Sequence, residues 1–159
     1  MTSDLQLHRD LEDLYARYAE ALDDGPLEDW PAFFTEECLY LIQPRDNYDL
    51  GLPMAIMRCE SRDMARDRVT AVRETMMFEQ RYLRHQVTNL RIRERRGNTL
   101  DASANFLVVE VLPDELPRIL IVGRYLDQLL LGTDGQWRFT VRRCVFDSVL
   151  VPNSIIYPV

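Results

Sequence analysis

The sequence predicts a single α+β domain in which helices come first and an antiparallel sheet follows. In the first third of the chain, apolar residues recur at spacings of three and four, which is the period of an amphipathic helix. From Arg81 onward the period is two, as in strands with one buried face. Glycine-containing turn signals separate these strands. A chain of 159 residues buries one substantial core, so we expect one domain over residues 1–159.

The first helix is predicted from Ser3 to Leu22. Ser3 and Gln6 have the spacing of a capping box, in which each side chain bonds a free backbone N–H at the helix start. Gly25 and Pro26 end the helix, because glycine accepts a left-handed C-cap and proline prevents continuation. The buried stripe is formed by Leu7, Leu11, Leu14, Tyr15, Tyr18 and Leu22.

Shorter elements follow the first helix. We predict a short helix from Leu27 to Phe34, whose aromatic side chains pack in the core, and a strand from Glu37 to Gln43. The segment Pro44 to Gly51 is polar and rich in turn residues, which predicts a loop. The apolar segment Pro53 to Cys59 predicts an edge or lid strand.

Ser61 is the predicted N-cap of a third helix. Its buried stripe contains Ala65, Val69, Val72 and Met76. Arg62, Arg66 and Arg73 lie on the other side, interleaved with acidic residues. This side is either a solvated face of ion pairs or a binding face.

Four long strands joined by short links predict a consecutive antiparallel meander. In the last strand, Trp137, Phe139 and Val141 alternate with Arg138, Thr140 and Arg142, which predicts one wet face. The alternation slips near Arg142 and Arg143, so we expect a bulge or bend there. Gly97-Asn98 and Asp134-Gly135 are the hairpin signals. The strands are predicted at about Arg81–Arg95, Thr99–Leu112, Arg118–Leu131 and Gln136–Leu150.

This order of elements predicts a cone, with a strongly curved sheet wrapped around the first helix. At the level of fold alone, such a cone is similar to the NTF2-like superfamily. The tail from Pro152 to Val159 is apolar without a helical period. It must pack either on its own sheet or on a partner, because a free Ile155-Ile156-Tyr157 segment would aggregate.

Composition excludes several classes of function. A net charge of −7 and a pI near 4.9 argue against nucleic-acid binding. All 19 basic residues are arginine, so Schiff-base chemistry by lysine is excluded. Cys38, Cys59 and Cys144 are far apart and odd in number, which predicts buried thiols in a reducing compartment. We see no signal peptide and no apolar run of membrane-spanning length, so a cytoplasmic protein is expected.

Candidate chemical groups are few. His8 and His85 are the two histidines, and no spacing predicts a metal site, a cofactor site or a nucleophile elbow in this chain. Acid–base chemistry at the mouth of the cone is an alternative, with Tyr40, His85, Arg124 and Asp147 as candidates. One reading is therefore a free-standing dehydratase or isomerase that uses Tyr40, His85 and Asp147. Another is a non-catalytic cone that binds a small molecule.

Several segments together resemble the small (beta) subunits of aromatic-ring-hydroxylating dioxygenases, the Rieske non-haem iron oxygenases. The resemblance covers nearly the whole chain in the expected order. It is carried by Trp30-Pro31-Ala32-Phe33-Phe34-Thr35 with Cys38 and Tyr40, Ser61-Arg62-Asp63-Met64 with Asp67-Arg68-Val69, Tyr82 through His85, Gly123-Arg124-Tyr125-Leu126-Asp127, Trp137-Arg138, and Arg143 with Asp147-Ser148.

The resemblance implies a cone-shaped, catalytically silent subunit without iron or cluster. Its partner would be a large subunit holding a Rieske [2Fe-2S] cluster and a mononuclear Fe(II), commonly as three large plus three small chains. A reductase and a ferredoxin would supply electrons from NAD(P)H. Trp30 to Thr35 and the Asp46-Asn47 loop resemble the branch acting on aromatic acids, with salicylate 5-hydroxylase first and terephthalate and anthranilate systems next. Arg62, Arg66, Arg91, Arg93 and Tyr157 are the expected subunit-interface residues.

Overall fold

The amphipathic first helix is the element around which the sheet is built. In the computed structural model, which describes residues 4–148, 150 and 155–159, helix α1 spans Asp4–Asp23. Its predicted stripe is buried, and Leu11 and Tyr18 are completely inaccessible to solvent. Gly25 adopts a positive φ of 78° immediately after the helix, as the predicted stop requires. Ser3 of the predicted capping box lies outside the described residues, whereas the Gln6 amide donates a hydrogen bond to Asp10.

The sheet has six strands in the order β2-β1-β6-β5-β4-β3. The last four strands form the predicted antiparallel meander, β1 runs parallel to β6, and β2 pairs antiparallel with β1. The predicted α+β class, with a mostly antiparallel sheet curved around α1, is confirmed. The strands are β1 (Phe34–Pro44), β2 (Met57–Cys59), β3 (Tyr82–Arg96), β4 (Thr99–Val111), β5 (Arg118–Leu131) and β6 (Trp137–Phe146).

Short helices connect and cover the first two strands. A 3-10 helix spans Leu27–Phe33, as predicted for this segment. Residues Arg45–Asp49 form helix α2, so the prediction of a plain loop there was wrong. Pro44 provides an extended start, Asp46 places a negative charge in the first turn, and Gly51 follows the helix with a positive φ. The predicted edge strand is confirmed, but it is limited to the three residues of β2.

Helix α3 (Arg62–Thr70) begins at the predicted cap. The Ser61 hydroxyl accepts a hydrogen bond from the backbone N–H of Met64, at 3.2 Å. Ala65 and Val69 face the core, and one π-helical turn, Ala71–Thr75, continues the helix and buries Val72. No helix among the described residues is both long and apolar enough to cross a membrane.

Strand β6 contains a bulge that reverses the predicted orientation of its second half. Gln128 pairs with Val141 and Leu129 with Phe139, which leaves Thr140 as an extra residue in β6. The slip therefore occurs two residues earlier than predicted. As a result Arg142 points into the core and is fully buried, so its prediction as a wet-face residue was wrong.

Gly123 allows β5 and β6 to approach closely. A Cβ atom at this position would lie 2.0 Å from the carbonyl oxygen of Val145 and 2.7 Å from Cα of Phe146. Both neighbours are backbone atoms, so they cannot turn aside as a side chain could. Glycine is therefore required here by space rather than by a left-handed backbone.

The described part of the apolar tail packs inside its own domain. Ile155, Ile156 and Val159 are buried. The Arg68 guanidinium donates hydrogen bonds to the carbonyl oxygens of Ile155 and Ile156, both at 3.0 Å. Of the two predicted locations for the tail, this segment adopts the intramolecular one; residues 151–154 lie outside the described residues.

Candidate functional site

Tyr40, the first residue of the predicted catalytic trio, is a structural anchor for the tail. Its hydroxyl donates a hydrogen bond to the carbonyl oxygen of Val159 at 3.0 Å and accepts one from the N–H of Val159 at 2.9 Å. Burial raises the pKa of Tyr40 well above its ordinary value. The phenol therefore remains protonated and is already engaged on both sides.

His85 belongs to the edge strand β3, and its side chain faces α1, where it is paired with Asp23. Its Nδ1 is 2.6 Å from Asp23 Oδ1, and the same carboxylate accepts the backbone N–H of His85 at 2.9 Å. The imidazole is completely buried, and its Nε2 has no hydrogen-bond partner. A groove of about 570 Å³ runs along this junction, with Glu12 and Glu20 on its α1 side. The pair fastens the end of α1 to the edge of the sheet.

Asp147 and Arg124 lie on the opposite, outer face of the sheet. Asp147 forms an ion pair of 2.9 Å with Arg45 of α2. The Arg124 guanidinium lies 5.6 Å from the ring centroid of Tyr48 and 4.0 Å from Asp49. Tyr40 and His85 are interior and Asp147 is exterior, so the structure does not bring the predicted trio together. The catalytic constellation of Tyr40, His85 and Asp147 was wrong, because each side chain is engaged with a different partner: Tyr40 with Val159, His85 with Asp23, and Asp147 with Arg45 on the outer face.

The interior of the cone instead holds a buried arginine that sequence patterning placed outside. The Arg142 guanidinium lies over four aromatic rings, at 3.7 Å from the ring centroid of Tyr125 and 4.0 Å from that of Tyr18. One of its terminal nitrogens is 3.5 Å from Asp127 Oδ2, and the Tyr15 hydroxyl donates a hydrogen bond to the same oxygen. No hydrogen bond is assigned to any of the three guanidinium nitrogens.

The electrostatics of this cluster are dominated by burial. Burial raises the pKa of Asp127 to about 6, although the positive charge of Arg142 and the hydrogen bond from Tyr15 both lower it. Burial and the nearby Asp127 carboxylate together raise the pKa of Tyr15. The only sequence signal for this cluster was the slip in alternation near Arg142. Because the aromatic rings fill the space around the guanidinium, the cluster is part of the packed core.

The described residues offer no metal centre. None of their His, Cys, Asp and Glu side chains form a group of three that could hold a metal ion. Cys38, Cys59 and Cys144 are free and buried, as predicted. Burial raises the pKa of Cys38 to about 11 and that of Cys144 to about 12, so both remain protonated thiols at neutral pH.

The five predicted interface residues occupy three separate regions. Arg62 is mostly buried: its Nε donates to the Phe34 carbonyl oxygen at 2.8 Å, and the guanidinium also pairs with Glu36. Arg66 pairs with Asp63 on the exposed side of α3. Tyr157 is half-buried and packs edge-to-face on Phe78.

Arg91 and Arg93, the other two predicted interface residues, are exposed on the outer face of β3. The side chains of Arg62, Arg66 and Tyr157 are therefore engaged within this chain. Arg93 makes one hydrogen bond, to Ser103, and neither Arg91 nor Arg93 forms an ion pair with another described residue. An interface role for all five stays a prediction.

A second exposed feature is an apolar ridge from Leu50 to Ile56, which overlaps the predicted loop and the predicted edge or lid strand. Leu50, Leu52, Met54 and Ile56 are between 47 % and 72 % exposed. Hydrogen bonds hold the backbone of this segment in place: Gln43 donates to the Leu52 carbonyl oxygen and the N–H of Ile56 donates to Ile42, both at 2.8 Å. An ordered, exposed apolar segment is typical of a surface that contacts another protein.

Comparison with known proteins identifies a family and several similar oxygenase subunits. Residues 3–143 match the family model of the SnoaL-like domain. The chain is 33 % identical over 159 residues to the anthranilate 1,2-dioxygenase small subunit of Burkholderia cepacia, with 100 % of this chain and 98 % of that protein covered. It is 32 % identical over 143 residues to a terephthalate 1,2-dioxygenase terminal oxygenase component subunit beta 2 of a Comamonas species, covering 90 % and 92 %.

A solved structure extends the similarity to the fold. It is assigned as the beta subunit of an aromatic-ring-hydroxylating dioxygenase from Novosphingobium aromaticivorans. It superposes with a TM-score of 0.86 at 33 % identity and covers 95 % of each chain. The expected NTF2-like cone is thereby confirmed.

Proposed function

We propose a function from the premise that this chain belongs to the SnoaL-like domain family and, within it, to the small subunits of aromatic-ring-hydroxylating dioxygenases. The chain acts as a non-catalytic structural subunit that supports the assembly of a large oxygenase subunit. The observation that carries this proposal is the full-length similarity to the anthranilate 1,2-dioxygenase small subunit. The separation of Tyr40, His85 and Asp147 supports it, because it removes the catalytic set of the alternative reading.

The iron chemistry belongs to the partner in this proposal. A Rieske cluster needs two cysteine and two histidine ligands close together. The buried, protonated thiols and the His85–Asp23 pair do not fit such a group. We therefore place the [2Fe-2S] cluster and the mononuclear Fe(II) in the large subunit. NAD(P)H supplies the electrons through a reductase and a ferredoxin, and three large plus three small chains form the assembly.

Co-expression tests this proposal. The chain is produced with and without the large-subunit gene, and particle mass and bound iron are measured in both samples. We expect co-elution in one particle containing both chains in equal number, with iron present only when the large subunit is present. A stable, iron-free chain that never joins the iron–sulfur protein would refute the proposal. Retained activity of the assembled complex after His85→Ala, with an intact fold, would argue further against catalysis by this chain.

The substrate is proposed to be an aromatic carboxylic acid. The relatives named above are enzymes of anthranilate and terephthalate, both of which are aromatic acids. We retain salicylate, hydroxylated to gentisate, as the first candidate because of the resemblance at Trp30 to Thr35 and at Asp46-Asn47. Product analysis of the complex with its electron-transfer components, supplied separately with salicylate, anthranilate and terephthalate, distinguishes these acids. Turnover of anthranilate alone would exclude salicylate without affecting the role of the small subunit.

A further inference from the structure

Arg91 and Arg143 lie at the two ends of a line of paired residues that crosses strands β3 to β6 on the outer face of the sheet. In the strand register, Arg91 of β3 pairs with Ser103 of β4, Ser103 with Leu126 of β5, and Leu126 with Arg143 of β6. Residues paired in this way project from the same face of a sheet. The side chains on either side of Leu126 and Arg143, including Arg142, are buried in the core, so this line faces outward.

Two further arginines complete the surface, which we name the arginine face: Arg91, Arg93, Arg124 and Arg143. Arg93 projects beside Ser103, whose hydroxyl accepts a hydrogen bond from its Nε at 2.7 Å. Arg124 lies one row further along the outer face, next to Asn105. Its closest carboxylate, Asp49, is at the limit of an ion pair, 4.0 Å away.

The arginine face differs from the rest of the chain in how its charges are neutralised. Elsewhere most guanidinium groups have a carboxylate oxygen at ion-pair distance, and several of these distances are below 3 Å. Among the residues that the structure describes, Arg91, Arg93 and Arg143 have no ion pair. Arg9, Arg68 and Arg95 also have none, but they lie apart from one another and away from this face, and Arg68 and Arg95 donate to backbone carbonyl oxygens. The paired arginines include Arg17, Arg45, Arg58, Arg73, Arg81, Arg84, Arg118 and Arg138.

This concentration of positive charge is unusual in a chain whose net charge is −7. The nearest carboxylates on the outer face, Glu94 and Asp101, lie beside Arg96 instead, and Glu94 forms an ion pair with it. Asp147, at its border, is already neutralised by Arg45. The guanidinium groups of Arg91 and Arg143, and the two terminal nitrogens of Arg93, therefore present planar donors that match carboxylates of another molecule in both charge and geometry.

Apolar side chains lie next to the arginine face. A groove of about 480 Å³ on the outer face is lined by Asn105, Leu107, Val122 and Arg124, among others. The Arg124 guanidinium lies over Tyr48 of α2 and so connects this groove to the segment that carries the exposed ridge of Leu50 to Ile56. Arginine and apolar side chains around a groove have the composition of a protein–protein contact.

We infer that the arginine face is the docking surface for the large subunit, and that it receives an acidic patch of that subunit. The inference rests on the proposed function for the identity of the partner. Charge complementarity argues for a partner with an acidic patch, and a two-fold contact between copies of this chain is disfavoured because it would bring the same arginines together, where like charges repel. The groove and the ridge supply the apolar area that carboxylate–arginine pairs alone do not bury.

Charge reversal at the two ends of the line tests the inference. The double variant Arg91→Glu/Arg143→Glu is compared with Arg9→Glu/Arg95→Glu, which makes the same change in net charge at exposed arginines away from the arginine face. Circular dichroism of the isolated chain verifies folding of each variant, and surface plasmon resonance measures binding to the large subunit at low and high salt. We expect the face variant to weaken binding about 100-fold and the control variant by less than about threefold.

Salt provides an independent readout. Wild-type binding is expected to weaken as ionic strength rises, and this dependence should be reduced in the face variant. A folded face variant that binds the large subunit as tightly as the wild type would overturn the inference while leaving the small-subunit function intact. Failure of the wild type itself to bind would instead overturn the proposed function. Loss of a homo-oligomer in the face variant, with unchanged binding to the large subunit, would assign the face to a second copy and also overturn the inference.

Discussion

Replacing Asp127 with asparagine should remove one pH-dependent contribution to the free energy of unfolding. This contribution comes from protonated Asp127 and becomes smaller as pH rises. Asp127 is buried beside Arg142 and accepts a hydrogen bond from Tyr15. Asparagine keeps the size and an acceptor oxygen for Tyr15, but it cannot ionise. Because burial outweighs the attraction of Arg142, the pKa of Asp127 in the folded protein is about 6, compared with about 4 for an exposed aspartate.

Proton linkage gives the direction and the size of this change in the free energy of unfolding. The folded chain holds this proton more tightly than the unfolded chain, so its stabilising contribution is complete below about pH 4 and is lost as pH rises through 6. A difference of about two pH units, at 1.36 kcal/mol each, amounts to about 3 kcal/mol in total. About 2 kcal/mol of that loss falls between pH 4.5 and 7. The wild type should therefore lose this much free energy of unfolding relative to Asp127→Asn over that interval.

Urea unfolding followed by circular dichroism at pH 4.5, 5.5 and 7 measures the difference between the two proteins. Asp134→Asn is the matched control, because Arg138 lowers the pKa of the exposed Asp134 to about 2 and its titration lies below this interval. Its difference from the wild type should stay constant from pH 4.5 to 7. If the wild type instead gains stability over Asp127→Asn as pH rises, attraction to Arg142 outweighs burial and the reasoning is refuted.

Three further substitutions test the packing that positions the outer face and the tail. Gly123→Ala should lower the free energy of unfolding, measured by urea unfolding, by about 3 kcal/mol or more, because the new Cβ would meet backbone atoms. A loss below about 1 kcal/mol would contradict the close approach of β5 and β6. Ser61→Ala should lower the free energy of unfolding by about 1 kcal/mol, because it removes the hydroxyl that caps α3. Ser61→Asp should lose much less, because a carboxylate oxygen can accept the same N–H, and an equal loss in both variants would argue against a capping role. Tyr40→Phe should cost about 1–3 kcal/mol and increase amide hydrogen exchange at Val159, whose N–H loses its acceptor; unchanged exchange there would contradict the anchoring of the tail.

The order of elements could be predicted because each rests on local periodicity. The stripe of α1, the Ser61 cap and the hairpin signals at Gly97 and Gly135 all depend on residues a few positions apart. Helix α2 was missed because five residues are too short to show a period. The parallel pairing of β1 with β6 joins segments about 100 residues apart, and no local pattern encodes it.

The sites were predicted less well, because strand alternation fixes a side chain's face only until a bulge occurs. One extra residue, Thr140, turned Arg142 inward, and no spacing in the sequence could show that Tyr40, His85 and Asp147 point in different directions. Arg91 and Arg93 were selected as exposed strand arginines. Their alignment with Arg143 depends on the register of four strands.

The sequence by itself determined the α+β class, the meander and the family resemblance, since these follow from periodicity and from motifs in linear order. Only the tertiary structure decided which arginines are neutralised within the chain and which remain free, because ion pairs form between residues distant in sequence. It also decided that the described tail packs within its own domain and that the outer face carries unpaired positive charge. Folding selects the partner of each charge, and it collects three arginines that lack an ion pair among the described residues, Arg91, Arg93 and Arg143, on one outer face.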